Sequence, residues 1–360
     1  MPMSRFSRYP NARAVSMAAL VGALLPSCLT AQSDRRTLAG DSVALFNVAG
    51  SVRIERGSGR DVTVDITRRG RDADRLRIET GTVRGIPTLR IIYPGEDIVY
   101  RGGASRGRWS QTEIRDDGTW GGRWSGGRRV KVKSSGDGLE AWADIRVMVP
   151  TGHALEAHLL VGDMTAINVD ANLVLDVSAA AVMVDRTDGS LSVDAGSGGV
   201  TLRDVRSTRL TVDNGSGGVN MRDVRGDRCT FDLGSGAVDG TNVSCQSMTV
   251  DVGSGGVRLT EASARTVKVD AGSGGVSLDL RTAPSSVEVD AGSGPVTLSL
   301  PSSIGATLDI DTGSGGISTD FPIRTDRVER NRLRGTIGNG NAQIRVETGS
   351  GAVRIRRGAN

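Results

Sequence analysis

The chain has little of what most compact and catalytic domains are built from. Phe, Trp and Tyr together make up 3% of its 360 residues, so a centre filled by aromatic side chains is excluded. His153 and His158 are the only histidines, and both lie close to the Pro150 turn. With no Cys–His pair, no His-x-x-x-His and no nucleophile elbow, the sequence offers no catalytic residue and no metal set. No cofactor is implied either. A recurring Gly-Ser-Gly lacks the Gly-Lys-Ser/Thr ending and the following helix that would make it a phosphate loop. Cysteine is limited to Cys28, Cys229 and Cys245, with no Cys-x-x-Cys for redox chemistry. Apart from Ala14 to Leu25, no apolar run approaches the ~20 residues of a membrane-spanning helix.

That one apolar run follows Arg5, Arg8 and Arg13 and has the length of an export signal, with cleavage expected after Ala31. The rival reading is a lipoprotein acylated at Cys28, for which Pro26 is a poor neighbour. The expectation is therefore an exported protein of the periplasm, outer envelope or cell surface. Loss of residues 1–31 removes three arginines and no acids, lowering the net charge from +4 to +1. The basic character of the full chain is then no argument for a nucleic-acid partner.

What the chain has in abundance is glycine, 50 residues of it, in register. Gly-Ser-Gly-(Gly/Ala/Pro)-(Val/Ile) begins at Gly196, Gly215, Gly234, Gly253, Gly272, Gly292, Gly313 and Gly349, the first five at a spacing of 19. The last gap, of 36, reads as a coil carrying an insertion between about Phe321 and Asn341. Degenerate copies stand at Ser178 and Gly162. Five and three residues before the first Gly come pairs such as Leu210 and Val212; four and six after it come pairs such as Val219 and Met221. Apolar residues two apart on both sides of the glycines predict two short strands joined by a corner, the glycines supplying positive φ and close backbone approach. One such pair cannot bury its apolar face alone, whereas stacked copies close a continuous core. The predicted fold is all-β: a β-solenoid of ~19-residue coils over residues 161–358, each coil advancing ~4.8 Å.

Two residues before each Gly stands an outward-facing acid: Asp194, Asp213, Asp232, Asp251, Asp270, Asp290 and Asp311, then Glu347. Stacked like charges repel by ~1 kcal/mol per pair even in water. Asp-x-Gly has the spacing of an Asx-turn, in which the carboxylate accepts the Gly N–H, and this is the expected offset. A row of Ca²⁺ sites is the functional alternative, but the nonapeptide pattern of calcium rolls is missing. In the same register Cys229 occupies a core column, which makes it a small buried hydrophobe. Cys245 falls at a turn three residues before Met248, the residue stacked on Cys229, so a disulfide between adjacent coils is the other reading.

Residues 32–160 read as a small β-rich cap for the first coil, with alternating strands through Val62, Val64 and Ile66, Leu89 and Ile91, and Ala143 to Val149. Within it, about 101–138 forms a Gly/Arg/Trp-rich insertion with nine basic and three acidic residues between Arg101 and Lys133. Trp109, Trp120, Trp124, Arg123, Arg128 and Arg129 are its candidate binding residues, since Trp and Arg together mark contact surfaces and cationic aromatic segments favour anionic membranes or glycans. The contrary reading is a solvated insertion with one or two Trp tucked inward.

Val48-Ala49-Gly50-Ser51-Val52, Ile145-Arg146-Val147-Met148-Val149-Pro150 and the Gly-Ser-Gly-Gly-Val copies resemble the bacterial putative-adhesin domain family, over roughly residues 41–358. The resemblance implies an exported β-strand-repeat protein, with no catalytic residues to carry over. The expected function is a non-enzymatic adhesin or scaffold that presents a rigid surface to an envelope glycan, a membrane surface or a protein partner. An envelope-stress or ligand sensor acting through a membrane partner is the alternative, and a polysaccharide-acting β-helical enzyme a lesser one.

Overall fold

Period-2 alternation of Val, Leu and Ile produces strands almost throughout the computed structural model, which describes residues 33–102, 109–121 and 126–358. The segment 1–31, with Cys28, and both Arg123 and Trp124 lie outside the described residues. Among those described there is no α-helix, only a 3-10 turn at Ala73–Arg75.

The central coils are long bent strands in parallel register: β10 (Ala154–Ile167), β11 (Asn172–Asp188), β12 (Leu191–Ala195), β13 (Val200–Asn214), β14 (Val219–Leu233), β15 (Val238–Val252) and β16 (Val257–Ala271). Their inward columns are as expected from the repeat. Leu210, Cys229 and Met248 are buried in one, and Val212, Phe231 and Val250 in the next. Burial of such side chains contributes roughly 1.5–3 kcal/mol each. The fold is thus an all-β solenoid.

The Gly-Ser-Gly corners work differently from one half of the expectation. None of their glycines has positive φ. They are needed for close approach alone: a Cβ on Gly198 would lie 1.5 Å from the Ala180 carbonyl oxygen, and one on Gly236 1.9 Å from that of Gly217. Positive φ occurs at another corner of the coil, at Asn168, Arg186, Asp204, Asp223, Asn242 and Glu261. Four of these six are Asn or Asp, which tolerate the left-handed region best among residues with side chains.

The ladder also extends further toward the N-terminus than residue 161. The 160/161 boundary falls inside β10, and β2 (Ser42–Gly57) is paired with β10 in parallel along its length. Below β2 lie β5 (Ile86–Ile92) and β9 (Trp142–Pro150). The ladder is closed off by antiparallel β4 (Arg77–Val83) on β5, and by β3 (Val62–Arg69) on β9 with β1 (Ser33–Leu38) beyond it. Residues 32–360 make one compact unit. Part of the Trp/Arg insertion is itself a sheet, with β6 (Asp97–Val99) and β7 (Ser110–Ile114) flanking β8 (Arg128–Lys133) and Ile114, Val130 and Val132 buried.

At the other end, chain order and stacking order part company. β17 (Val276–Leu280) and β18 (Ser286–Ala291) follow β16, and β19 (Val296–Leu300) stacks on β17. The next rung is then the C-terminal one. β24 (Ala342–Thr348) and β25 (Val353–Arg357) sit on β18 and β19, and β20 (Ala306–Thr312) and β21 (Ile317–Thr319) pair with their far side. The inserted segment is a hairpin of β22 (Arg324–Val328) and β23 (Arg332–Ile337), with β23 covering β20 in antiparallel fashion.

Candidate functional site: an acidic column closed by cations

The outward acids form one unbroken column. Asp176, Asp194, Asp213, Asp232, Asp251, Asp270, Asp290, Glu347 and Asp311 are successive register partners. The Asx-turn expected of them does not form. Each Gly N–H goes instead to the preceding coil, as in Gly196 N–H to Val177 O and Gly215 N–H to Ala195 O, both at 2.9 Å. In three coils the corner is held from the next residue along, which faces inward; in the other coils that residue is Ala, Leu or Val. Buried Asn214 accepts from Gly217 N–H at 3.0 Å and donates to Gly198 O at 2.9 Å; Thr348 likewise accepts from Gly351 N–H and donates to Gly294 O, while Thr312 donates to Gly315 O of its own corner. Alternation explains the difference: the Asp side chain points away from the corner that its neighbour reaches.

Asp194, Asp213, Asp232, Asp251, Asp270 and Asp290 therefore stand exposed with no hydrogen bond or ion pair among the described residues. Partial burial, then repulsion from neighbouring rungs, raises the carboxyl pKa of Asp194, Asp213, Asp251 and Asp290. Among the described residues no group of three or more His, Cys, Asp or Glu is arranged to hold a metal ion.

Each end of the column carries a cation. Arg332 of β23 is paired with Asp311, and its Nε donates to Asp311 Oδ2 at 2.9 Å. At the opposite end the register partner of Asp176 is His158, and that of His158 is Phe46. The imidazole is 6% exposed, lies flat on the Phe46 ring at a centroid distance of 4.1 Å, and has the Trp120 ring edge-on at 6.2 Å. Its Nδ1 is 2.8 Å from Asp176 Oδ2 and its Nε2 2.7 Å from Glu156 Oε1. Burial, the largest influence, opposes the charge, but the hydrogen bonds and the negative charges of Asp176 and Glu156 together outweigh it and the pKa rises. The hydrogen bond from His158 in turn holds the Glu156 carboxyl below its usual range, against burial. Around this cluster is a cleft of about 350 Å³ between the β4–β5 hairpin, the insertion and the first coils, lined by Phe46, Trp120, Glu156, His158, Asp176 and Asp194 among others.

The candidate binding residues of the insertion do not form one surface. Trp120 is 7% exposed and packs into the core edge-on to Phe46 at 5.2 Å, so it is not a free contact residue. Arg128 is spent on backbone carbonyls, reaching Tyr93 O at 2.7 Å and also Gly95 O. Trp109 is 63% exposed, and Arg129 is exposed opposite Glu113. Cys229 and Cys245 are joined in a disulfide while both remain buried, so the core position and the cross-link coexist. Glu156 and Phe46 carry no signal in the sequence, and His158, considered there only for catalysis and metal binding, was not connected to the acidic column. Asp176 was within reach, since it stands two residues before the degenerate copy at Ser178, and His158 lies one coil further back.

A parallel coil stack with outward charge columns defines the class of β-solenoid repeat proteins. Within that class the chain belongs to the Toastrack DUF4097 family, whose pattern matches residues 144–356. The resemblance of the sequence to the bacterial putative-adhesin domains agrees with this membership. No curated protein matches the sequence. A crystal structure of a putative cell adhesion protein from Clostridium sporogenes aligns over 91% of this chain and 99% of its own, at 13% identity and a TM-score of 0.24.

Proposed function

We propose that this is an exported, non-enzymatic protein of the cell envelope, an adhesin or scaffold whose rigid coil stack is the presenting surface. The observation that carries this reading is the nine-rung acidic column, kept in register from Asp176 to Asp311. Such a row favours many weak contacts with an extended or repetitive partner over one deep contact with a small one. Export rests on the N-terminal signal read in the sequence. The non-enzymatic reading is supported by His158, whose two ring nitrogens are both engaged by carboxylates and leave none to take a substrate proton.

The test is binding of residues 32–360 to isolated envelope fractions, compared with a variant carrying Asp213→Asn, Asp232→Asn, Asp251→Asn and Asp270→Asn. Salt-sensitive binding that the variant loses supports a presenting acidic face. Equal binding by both proteins, or by neither, removes it. The cleft beside His158 supports the second reading, a ligand sensor. A saturable change in Trp120 fluorescence with a small ligand would favour the sensor over the scaffold.

A further inference from the structure

A second face of the stack carries the opposite charge. In β13 and β14 the segments Arg203-Asp204-Val205-Arg206 and Arg222-Asp223-Val224-Arg225 lie in register, followed by Arg209 and Arg228. Arg203 is thus directly opposite Arg222, Arg206 opposite Arg225, and Arg209 opposite Arg228. All six are exposed, and none of their guanidinium groups has an ion pair or hydrogen bond among the described residues. Of the nearby acids, Asp185 is paired with Arg186, Asp223 with Asn242 and Asp227 with Gln246, while Asp185 and Asp188 are also the register partners of Arg203 and Arg206 on the β11 side. Like charges directly opposite on neighbouring strands are destabilising. Three such pairs in succession are a cost to folding, offset from within the stack only where Asp185 and Asp188 of β11 stand opposite Arg203 and Arg206.

The upper edge of this patch borders a groove of about 420 Å³ that runs across four coils, at right angles to the strands. Its floor is formed at Leu202, Met221 and Gly240, and Arg203, Arg222 and Arg258 stand along it. Arg258 is likewise without a partner among the described residues. Thr201, Asn220, Thr241 and Thr260 supply neutral hydrogen-bonding groups between the cations, with Asp239 the one acid. The two exposed large hydrophobic residues among those described, Trp109 and Val174, lie outside the groove, so there is no apolar edge to enter a lipid layer.

We propose that this groove binds a linear acidic polysaccharide, one carrying carboxylate or sulfate groups along a hydroxyl-rich chain. The guanidinium groups of Arg203 and Arg222 stand on adjacent rungs at the coil spacing of ~4.8 Å, comparable to the advance of one sugar ring. Arg258 follows two rungs further on, so anionic groups on neighbouring sugars can meet these cations while the β15 rung offers Thr241. Each planar guanidinium can take a carboxylate or sulfate in bidentate fashion. The threonines and Asn220 then match the sugar hydroxyls. The inference concerns a different face from the acidic column and stands whether or not that column presents anything.

The experiment is calorimetric titration of residues 32–360 with polygalacturonate, with neutral dextran of similar length, and with phosphatidylglycerol vesicles. Arg203→Gln/Arg222→Gln is the test variant, Arg203→Lys/Arg222→Lys a second, and Asp251→Asn on the other face the control. Binding to polygalacturonate and not to dextran is expected, weakened about tenfold by the Gln pair, less by the Lys pair, and not by Asp251→Asn. Since the Gln pair removes the Arg203–Arg222 repulsion along with the exposed Asp185–Arg203 attraction, it should melt close to the parent, which separates lost binding from lost fold. The proposal is overturned if polygalacturonate is not bound at low salt, if the Gln pair binds it as well as the parent does, or if vesicles are bound in its place.

Discussion

Glu347 is the direct register partner of Asp290, and on its other side it meets Asp311. The C-terminal rung therefore lies inside the stack, between two coils that precede it in the chain. The coil bearing Asp311 has only the β22–β23 hairpin beyond it. That end of the solenoid is thus complete only with residues 342–357 in place.

Deleting residues 342–360 should accordingly do more than shorten the stack. β18 and β20 would each lose a parallel neighbour, and β20 would keep only the antiparallel β23. Hydrogen exchange should show lost amide protection over 286–319 with protection retained over 200–271. Unchanged protection over 286–319 would mean that the two coils close directly on one another.

The acidic column should make the protein less stable as pH rises through the acid range. A carboxyl whose pKa is raised on folding binds more protons when folded, so its stabilising contribution is present below the unfolded value and is lost above the folded one. Asp251→Asn should raise neutral-pH stability by under about 1 kcal/mol, since the site is exposed and screened. The gain should shrink with salt and vanish near pH 3. Denaturant titrations at two pH values and two salt concentrations test this, and a destabilised variant at neutral pH contradicts it.

His158 should impose a limit from the alkaline side. Its pKa is raised on folding, so its contribution is complete below the ordinary value of 6.5 and is lost as pH climbs through the folded value. The depressed Glu156 works the other way, losing its contribution as pH falls through its own folded value. His158→Gln should cost about 1–3 kcal/mol near pH 6 and flatten the alkaline decline. Thermal unfolding followed by tryptophan emission, with Trp120 beside the ring, reads both effects. An alkaline limb unchanged in the variant would show that another group controls it.

The disulfide closes a loop across adjacent coils at a sequence separation of 16. By loop entropy it should contribute about 3 kcal/mol. Cys245→Ser should lose roughly that amount in denaturant melts under oxidising conditions, and the difference should narrow when both proteins are reduced. Under native conditions thiol reagents should find neither Cys229 nor Cys245. Rapid labelling of both in the untreated protein would mean that the bond is not formed.

Much of this architecture was legible because its causes are local. Alternation places Leu210 and Val212 inward wherever the strand goes, and only glycine fits where Gly198 meets the Ala180 carbonyl. The coil period, the buried columns and the outward row of acids all follow from such causes, and all were determined by the sequence alone. What held the corners was not, because whether Asp213 or Asn214 reaches the turn depends on which of them faces it. Trp120 was ambiguous for a related reason: an aromatic in a basic loop becomes core only if Phe46 and His158 stand beneath it. The order of the rungs was decided by tertiary structure. Every copy of the repeat presents nearly the same backbone edge and the same apolar spacing, so the pattern determines register but not neighbour. Hence the sequence could place Glu347 in the column, while only packing of the closing hairpin and the last strand could put it between Asp290 and Asp311 and leave His158 and Arg332 at the ends.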